Sequence, residues 1–218
     1  MGYFDENPID EEMVEASGSD FKALNTGLYK AEIQNAYIVE SGSSNAKGLY
    51  VNLKLESGRF ITQAIWFGNS TDGKVTKLND NNKTVYTFGF LVMRDLFSAV
   101  GLEVDNEMPA TKGVKHFSSE IQAPVFEKML GKRIEVGLIK KLEDNYQDSY
   151  IEDEKNEVTY WCTLEGKSGE EVRKGTEPKA RKKWESRNGS DFVKDARKDS
   201  KKEKPVADAD SADAVDSW

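Results

Sequence analysis

Residues 27–67, GLYKAEIQNAYIVESGSSNAKGLYVNLKLESGRFITQAIWF, decide the reading of the fold. Successive side chains of a strand point to opposite faces, so apolar residues recurring every second position mark a half-buried strand. Tyr29, Ala31 and Ile33 alternate with Lys30, Glu32 and Gln34. At Asn35 the phase slips, and Ala36 and Ile38 take over the apolar positions. A slip inside one strand predicts a β-bulge, which bends a sheet toward closure. The Ser/Gly/Asn-rich run 41–48 reads as a loop. Leu49, Val51, Leu53 and Leu55 then alternate with Tyr50, Asn52, Lys54 and Glu56. Ser57-Gly58 supplies a tight turn, and 59–67 makes a third strand with apolar residues on both faces: Ile61, Ile65 and Phe67 on one, Phe60, Ala64 and Trp66 on the other. One set packs a core; the other is left over.

Away from this stretch the pattern is sparser. Residues 68–82 read as a polar loop. Phe90, Met93, Leu96, Phe97 and Val100 fall at helical spacing before Gly101, a helix stop. Residues 103–120 have no clear period, and 124–130 predict a short helix opening on Pro124 and ending at Gly131. Ile134, Val136 and Leu138 predict a fourth strand. Val158, Tyr160, Cys162 and Leu164 predict a fifth, with Trp161 on its outer side, after a charged loop at 142–156. Five strands with a helix between the third and fourth is the element order of a five-stranded Greek-key barrel, the OB-fold. The expectation is a mainly β, OB-like barrel with one or two short helices and disordered termini. It divides the chain into an acidic, flexible segment at 1–24, a barrel at 25–168, a basic and mixed-charge linker at 169–204, and an acidic tail at 205–218.

Composition narrows the function classes. The chain has 218 residues and a formal net charge of -8, unevenly spread: the first twenty residues hold seven acids and no Lys or Arg. Whole-chain charge therefore says little about any one surface, and an acidic protein binds nucleic acid if its cations share a groove. A lone cysteine, Cys162, allows no disulfide within the chain and fits a reducing cytoplasm. No apolar run reaches the length of a membrane span, so no membrane partner is expected. The one histidine, His116, lies in a polar stretch, and no G-x-S-x-G elbow accompanies it. One His and one Cys do not make a zinc site. The Gly166-Lys167-Ser168 run lacks the first glycine of a phosphate loop, since position 161 is Trp161. Carboxylates suited to a magnesium-dependent nuclease lie in tails and loops. The chain is expected to be no enzyme, with no catalytic residues, no metal and no cofactor.

Single-stranded nucleic acid is held by cations for its phosphates and flat rings for its bases. Strands two and three supply both on one face: Tyr50 and Lys54, then Arg59, Phe60 and Trp66. Lys47 precedes the second strand, Arg133 and Lys140 flank the fourth, and Trp161 joins from the fifth. Each taken singly has a plainer reading, because barrel aromatics mostly pack the core and lone lysines are mostly solvated. The set carries the expectation. Asp208, Asp210, Asp213, Asp216 and Trp218 end the chain without a basic residue among them. A large ring among carboxylates makes a portable hook for an apolar pocket rimmed by cations.

Together with Leu28-Tyr29-Lys30-Ala31-Glu32-Ile33 and Leu130-Gly131-Lys132-Arg133-Ile134-Glu135-Val136, this tail resembles the single-stranded DNA-binding proteins of tailed bacteriophages. The resemblance implies an OB-fold that coats and protects DNA during replication, recombination and repair. It also implies a tail that modulates binding and recruits replication proteins such as the polymerase, in the host cytoplasm. The basic stretch 173–204 is a departure that adds a second DNA contact in this reading; the acidic N-terminal segment is another. A homodimer with exchanged tails is compatible with the sequence. The alternative reading, from a different class, is a phage adaptor or host-protein inhibitor that uses Phe60 and Trp66 as a protein-binding patch.

Overall fold

The computed structural model describes residues 22–144 and 152–197. Within them the chain is mainly β, with β1 (Gly27–Glu40), β2 (Lys47–Leu55), β3 (Phe60–Trp66), β4 (Thr76–Leu78), β5 (Thr84–Tyr86), α1 (Phe88–Ala99), β6 (Ala110–His116), β7 (Ser119–Val125), β8 (Arg133–Asp144), β9 (Glu152–Cys162), α2 (Gly169–Lys174), α3 (Ala180–Arg187) and β10 (Val193–Asp195). The expected five-stranded closed barrel is corrected: ten strands are described, and the main sheet is open. β3, β2, β1, β8 and β9 follow one another by antiparallel pairing. β3 and β9 are not paired; Val158 N donates instead to the Gln63 side chain across the gap (2.9 Å).

β1 does two jobs, which is why it is long. Gly27 to Glu32 pairs with β8, and Ala31 to Glu40 pairs with β2. The register shifts between Ile33 and Asn35, the bulge expected from the phase slip, and the strand wraps the core there. The core is built from the inward residues of these strands, including Ile33, Leu49, Val51, Leu53, Ile134, Val136 and Leu138, and is closed by Phe90, Met93, Leu96 and Phe97 of α1. Each such fully buried side chain contributes about 1.5–3 kcal/mol relative to exposure. α1 starts where Thr87 accepts from Phe90 N (3.2 Å) while its hydroxyl donates to Phe67 O (2.5 Å), so one residue caps the helix and ties it to the end of β3.

Three further expectations change. Residues 103–120 hold β6 and the start of β7, a hairpin closed by the His116–Ser119 pair. Pro124 lies in β7 opposite Thr111, and no α-helix starts there; only a 3-10 turn, Glu127–Met129, follows. Residues 169–204 are no bare linker: up to 197 they form α2, α3 and β10, and the described helices number three. β10 runs parallel to β8 along Lys140 to Leu142, taking over the edge that β1 vacates at Gly27. Buried Thr26 spans this hand-over, its hydroxyl donating to Phe192 O (2.5 Å) and accepting from Lys140 N (2.9 Å). Thr26→Val keeps the shape and orphans both partners, so it should cost about 1–3 kcal/mol in a denaturant melt.

Among the described residues no helix is long and apolar enough to cross a membrane. Cys162 is buried, and its thiol is pushed up to about 12 by burial and by the neighbouring Glu135 carboxylate. Thiolate is the reactive form, so Cys162 should resist a thiol reagent at pH 8 in the native protein and react at once in denaturant.

Candidate functional site

The outer face of β1–β2–β3 is organised in four cross-strand rows. Val39, Gly48 and Trp66 make the first; Tyr37, Tyr50 and Ala64 the second; Asn35, Asn52 and Thr62 the third; Glu32, Lys54 and Phe60 the fourth. Directly opposed side chains on one face are close enough to interact. In the third row Thr62 Oγ1 donates to Asn52 Oδ1 (3.1 Å). In the fourth the Lys54 ammonium lies 5.6 Å from the centre of the Phe60 ring. Large rings thus bracket a short polar strip. Phe60 is 48% exposed and Trp66 45%.

The aromatic end is larger than these strands alone provide. Tyr50 stacks on Tyr37 with ring centres 5.8 Å apart and meets Trp66 edge-on at 6.1 Å. The β6–β7 hairpin folds over β1 here, burying Tyr37 beside Val114, Ala123 and Val125 in a second small core. It brings the His116 ring to 4.7 Å from Tyr50 and Nδ1 to 3.1 Å from the Tyr37 hydroxyl. Phe117, the first residue of the hairpin turn, is 75% exposed and has φ of 51°. That left-handed backbone normally belongs to glycine in a two-residue hairpin, and a bulky residue there stores strain. Gly48 has its own reason to be glycine: a Cβ would lie 3.0 Å from the Trp66 indole, which rests on the bare backbone.

The expected site residues divide by position. Tyr50, Lys54, Phe60 and Trp66 share this face. Arg133 reaches its lower end, lining a shallow cleft with Lys54 and Gln34, and pairs with Glu56 at 2.6 Å. Lys47 pairs with Glu40 (3.1 Å) and lines a separate, mostly apolar cleft with Ile38, Phe67 and Val75. Arg59 donates to the Lys22 carbonyl (2.8 Å) and stands outside the four rows. Lys140 lies in the far half of β8, between β9 and β10, and is ion-paired with Glu154 at 2.6 Å. Trp161 is corrected outright: it is 5% exposed and belongs to the core. The register of β8 and β9 shifts between Gly137 and Leu138, leaving Thr159 as an extra residue on β9. Alternation resumes in the opposite phase, so Val158 and Trp161 both face inward while Tyr160 stacks on Trp184 outside the core. The tail residues Asp208, Asp210, Asp213, Asp216 and Trp218 lie outside the described residues.

Sequence reasoning missed Tyr37, His116 and Phe117. The alternation of Ile121, Ala123 and Val125 was the available signal for their hairpin. Chemically the face offers rings of four kinds (phenyl, phenol, indole and imidazole), an exposed ammonium and amide groups. The chain matches no protein-family model and no curated protein.

Proposed function

We propose that this chain binds single-stranded DNA with little sequence preference and coats it during replication, recombination and repair, as in a phage-infected cell. The observation that carries the reading is the half-exposure of Phe60 and Trp66 on the same face as Tyr50 and Lys54. A soluble monomer gains nothing by presenting large rings to water; a single strand supplies the partner, at about 1–3 kcal/mol per stacked base. Stacking does not discriminate among bases, which accounts for low sequence preference. The strand order β3–β2–β1–β8–β9, with α1 following β3, supports an OB-like arrangement left open at the β3/β9 gap and elaborated by the β6–β7 hairpin. The C-terminal carboxylates and Trp218 act as the recruiting hook for replication proteins and compete with DNA for cationic residues. The protein works in the host cytoplasm and needs no cofactor.

Gel-shift titrations with oligo-dT, mixed-sequence DNA, the matching RNA and duplex DNA test this. Comparable retention of both single-stranded DNAs and weak retention of duplex is the expected pattern, and the RNA arm reports whether a 2′-hydroxyl is accepted. If no nucleic acid is retained at low salt, the exposed rings belong to a protein-binding patch instead.

A further inference from the structure

α3, Ala180–Arg187, is almost without apolar residues, yet it is held firmly against the outer side of β8 and β9. Trp184 lies on the backbone of Gly137, where a Cβ would come within 2.7 Å of the ring. Its indole stacks on Tyr160 at 6.2 Å, and Nε1 donates to Thr159 Oγ1 (3.1 Å). Arg181 pairs with buried Glu135 (3.3 Å) and with Glu185 (3.4 Å). Glu171 accepts from the backbone N–H groups of Lys179 and Ala180 (2.7 and 2.8 Å) at the start of the helix. These contacts use the inward side and the local carboxylates. Lys179, Lys183 and Arg187 recur every fourth residue and form one stripe, with Lys182 beside it. None of the four is in a salt bridge with a described residue.

Between this stripe and β9 runs a cleft of about 440 Å³, lined by Tyr160, Lys183, Trp184, Arg187 and Asn188 among others. A row of lysines ordinarily does no more than keep a surface hydrated. Here the cations border a cleft floored by two half-buried rings, the combination of charge and π-face that single strands use. We propose that α3 is a second subsite for the same DNA strand, with Lys182, Lys183 and Arg187 on phosphates and the Trp184–Tyr160 edge against a base. The two surfaces are neighbours on one sheet: Lys30 of β1 lies opposite Glu135, the residue that anchors Arg181, and Arg133 of β8 shares a cleft with Lys54. The subsite rests on the single-strand reading and lengthens the DNA that one molecule covers.

The test is a full-length triple variant, Lys182→Gln, Lys183→Gln and Arg187→Gln, titrated with oligo-dT over a range of sodium chloride. Each single-strand phosphate contact contributes about 0.7 to the slope of log K against log salt, so the slope should become shallower by about 2. The occluded length of DNA per protein should also fall. An equal-charge control, Lys83→Gln, Lys112→Gln and Lys128→Gln, should keep the wild-type slope. Wild-type binding with an unchanged slope in the α3 variant, or an equal drop in the control, overturns the subsite. Failure of the wild-type chain to bind oligo-dT overturns instead the reading beneath it.

Discussion

Replacing Trp66 by alanine should weaken the proposed binding to oligo-dT by about 1–3 kcal/mol, a roughly fivefold to 150-fold rise in Kd, without lowering thermal stability to match. Almost half of this ring faces solvent, and its main internal contacts are the edge of Tyr50 and the backbone of Gly48, so little core is lost with it. Phe60→Ala should act similarly at the other end of β3. The six-residue separation puts the two rings roughly 20 Å apart at the rise of a strand. They share no partner, so their effects should add. The double variant is then expected to lose about 2–6 kcal/mol by the same stacking arithmetic. Filter binding of both single variants and the double variant, with circular dichroism melts alongside, checks this. Tyr50 is a poorer target, because its ring is locked between Tyr37 and His116 and its removal also disturbs the seat of the hairpin.

Phe117→Gly should move stability and binding in opposite directions. The left-handed backbone at Phe117 costs a side-chain-bearing residue about 1–2 kcal/mol, and glycine adopts it freely at an entropic cost of about 0.5–1 kcal/mol. The melting temperature should hold or rise by about 1–3 °C. The exposed ring is also lost from beside Tyr50 and His116, and affinity for single strands should fall about tenfold if it stacks on a base. The strain would be offset if this exposed ring makes a contact outside the hairpin, which the binding arm of the experiment reads. A lower melting temperature with unchanged affinity would assign the ring to hairpin packing.

How much of this was legible from residues alone depended on what each stretch packs against. β2 was readable because one face is buried and the other wet, which writes a period of two into the chain, and β3 because it follows directly on the Ser57-Gly58 turn. The β1 bulge was readable because it interrupts a long run. Trp161 was misread because the bulge on β9 falls at Thr159, near the end of the strand, where one extra residue reverses every later side chain and only Tyr160, Trp161 and Cys162 remain to reveal it. The β6–β7 hairpin was hidden by Pro124, which suggests a helix start but sits in β7, a strand whose backbone pairs with β1 at Tyr37–Val125 alone. α3 and β10 carry no apolar period because single anchors hold them: Trp184 on Gly137, Arg181 on Glu135, and backbone pairing of β10 with β8. Half of the candidate face was therefore visible in advance, and the half supplied by a distant hairpin was not.

The most direct measurement is intrinsic tryptophan fluorescence during titration with oligo-dT, for the wild-type chain and for Trp66→Phe. Trp161 is buried in the core, whereas Trp66 on the outer face and the half-buried Trp184 beside α3 are the described indoles placed to report on a bound strand. The account predicts saturable quenching by oligo-dT, little by duplex DNA, reversal on adding salt, and a clearly smaller signal in Trp66→Phe, the remainder coming from Trp184. No quenching and no bound DNA at low salt would contradict it.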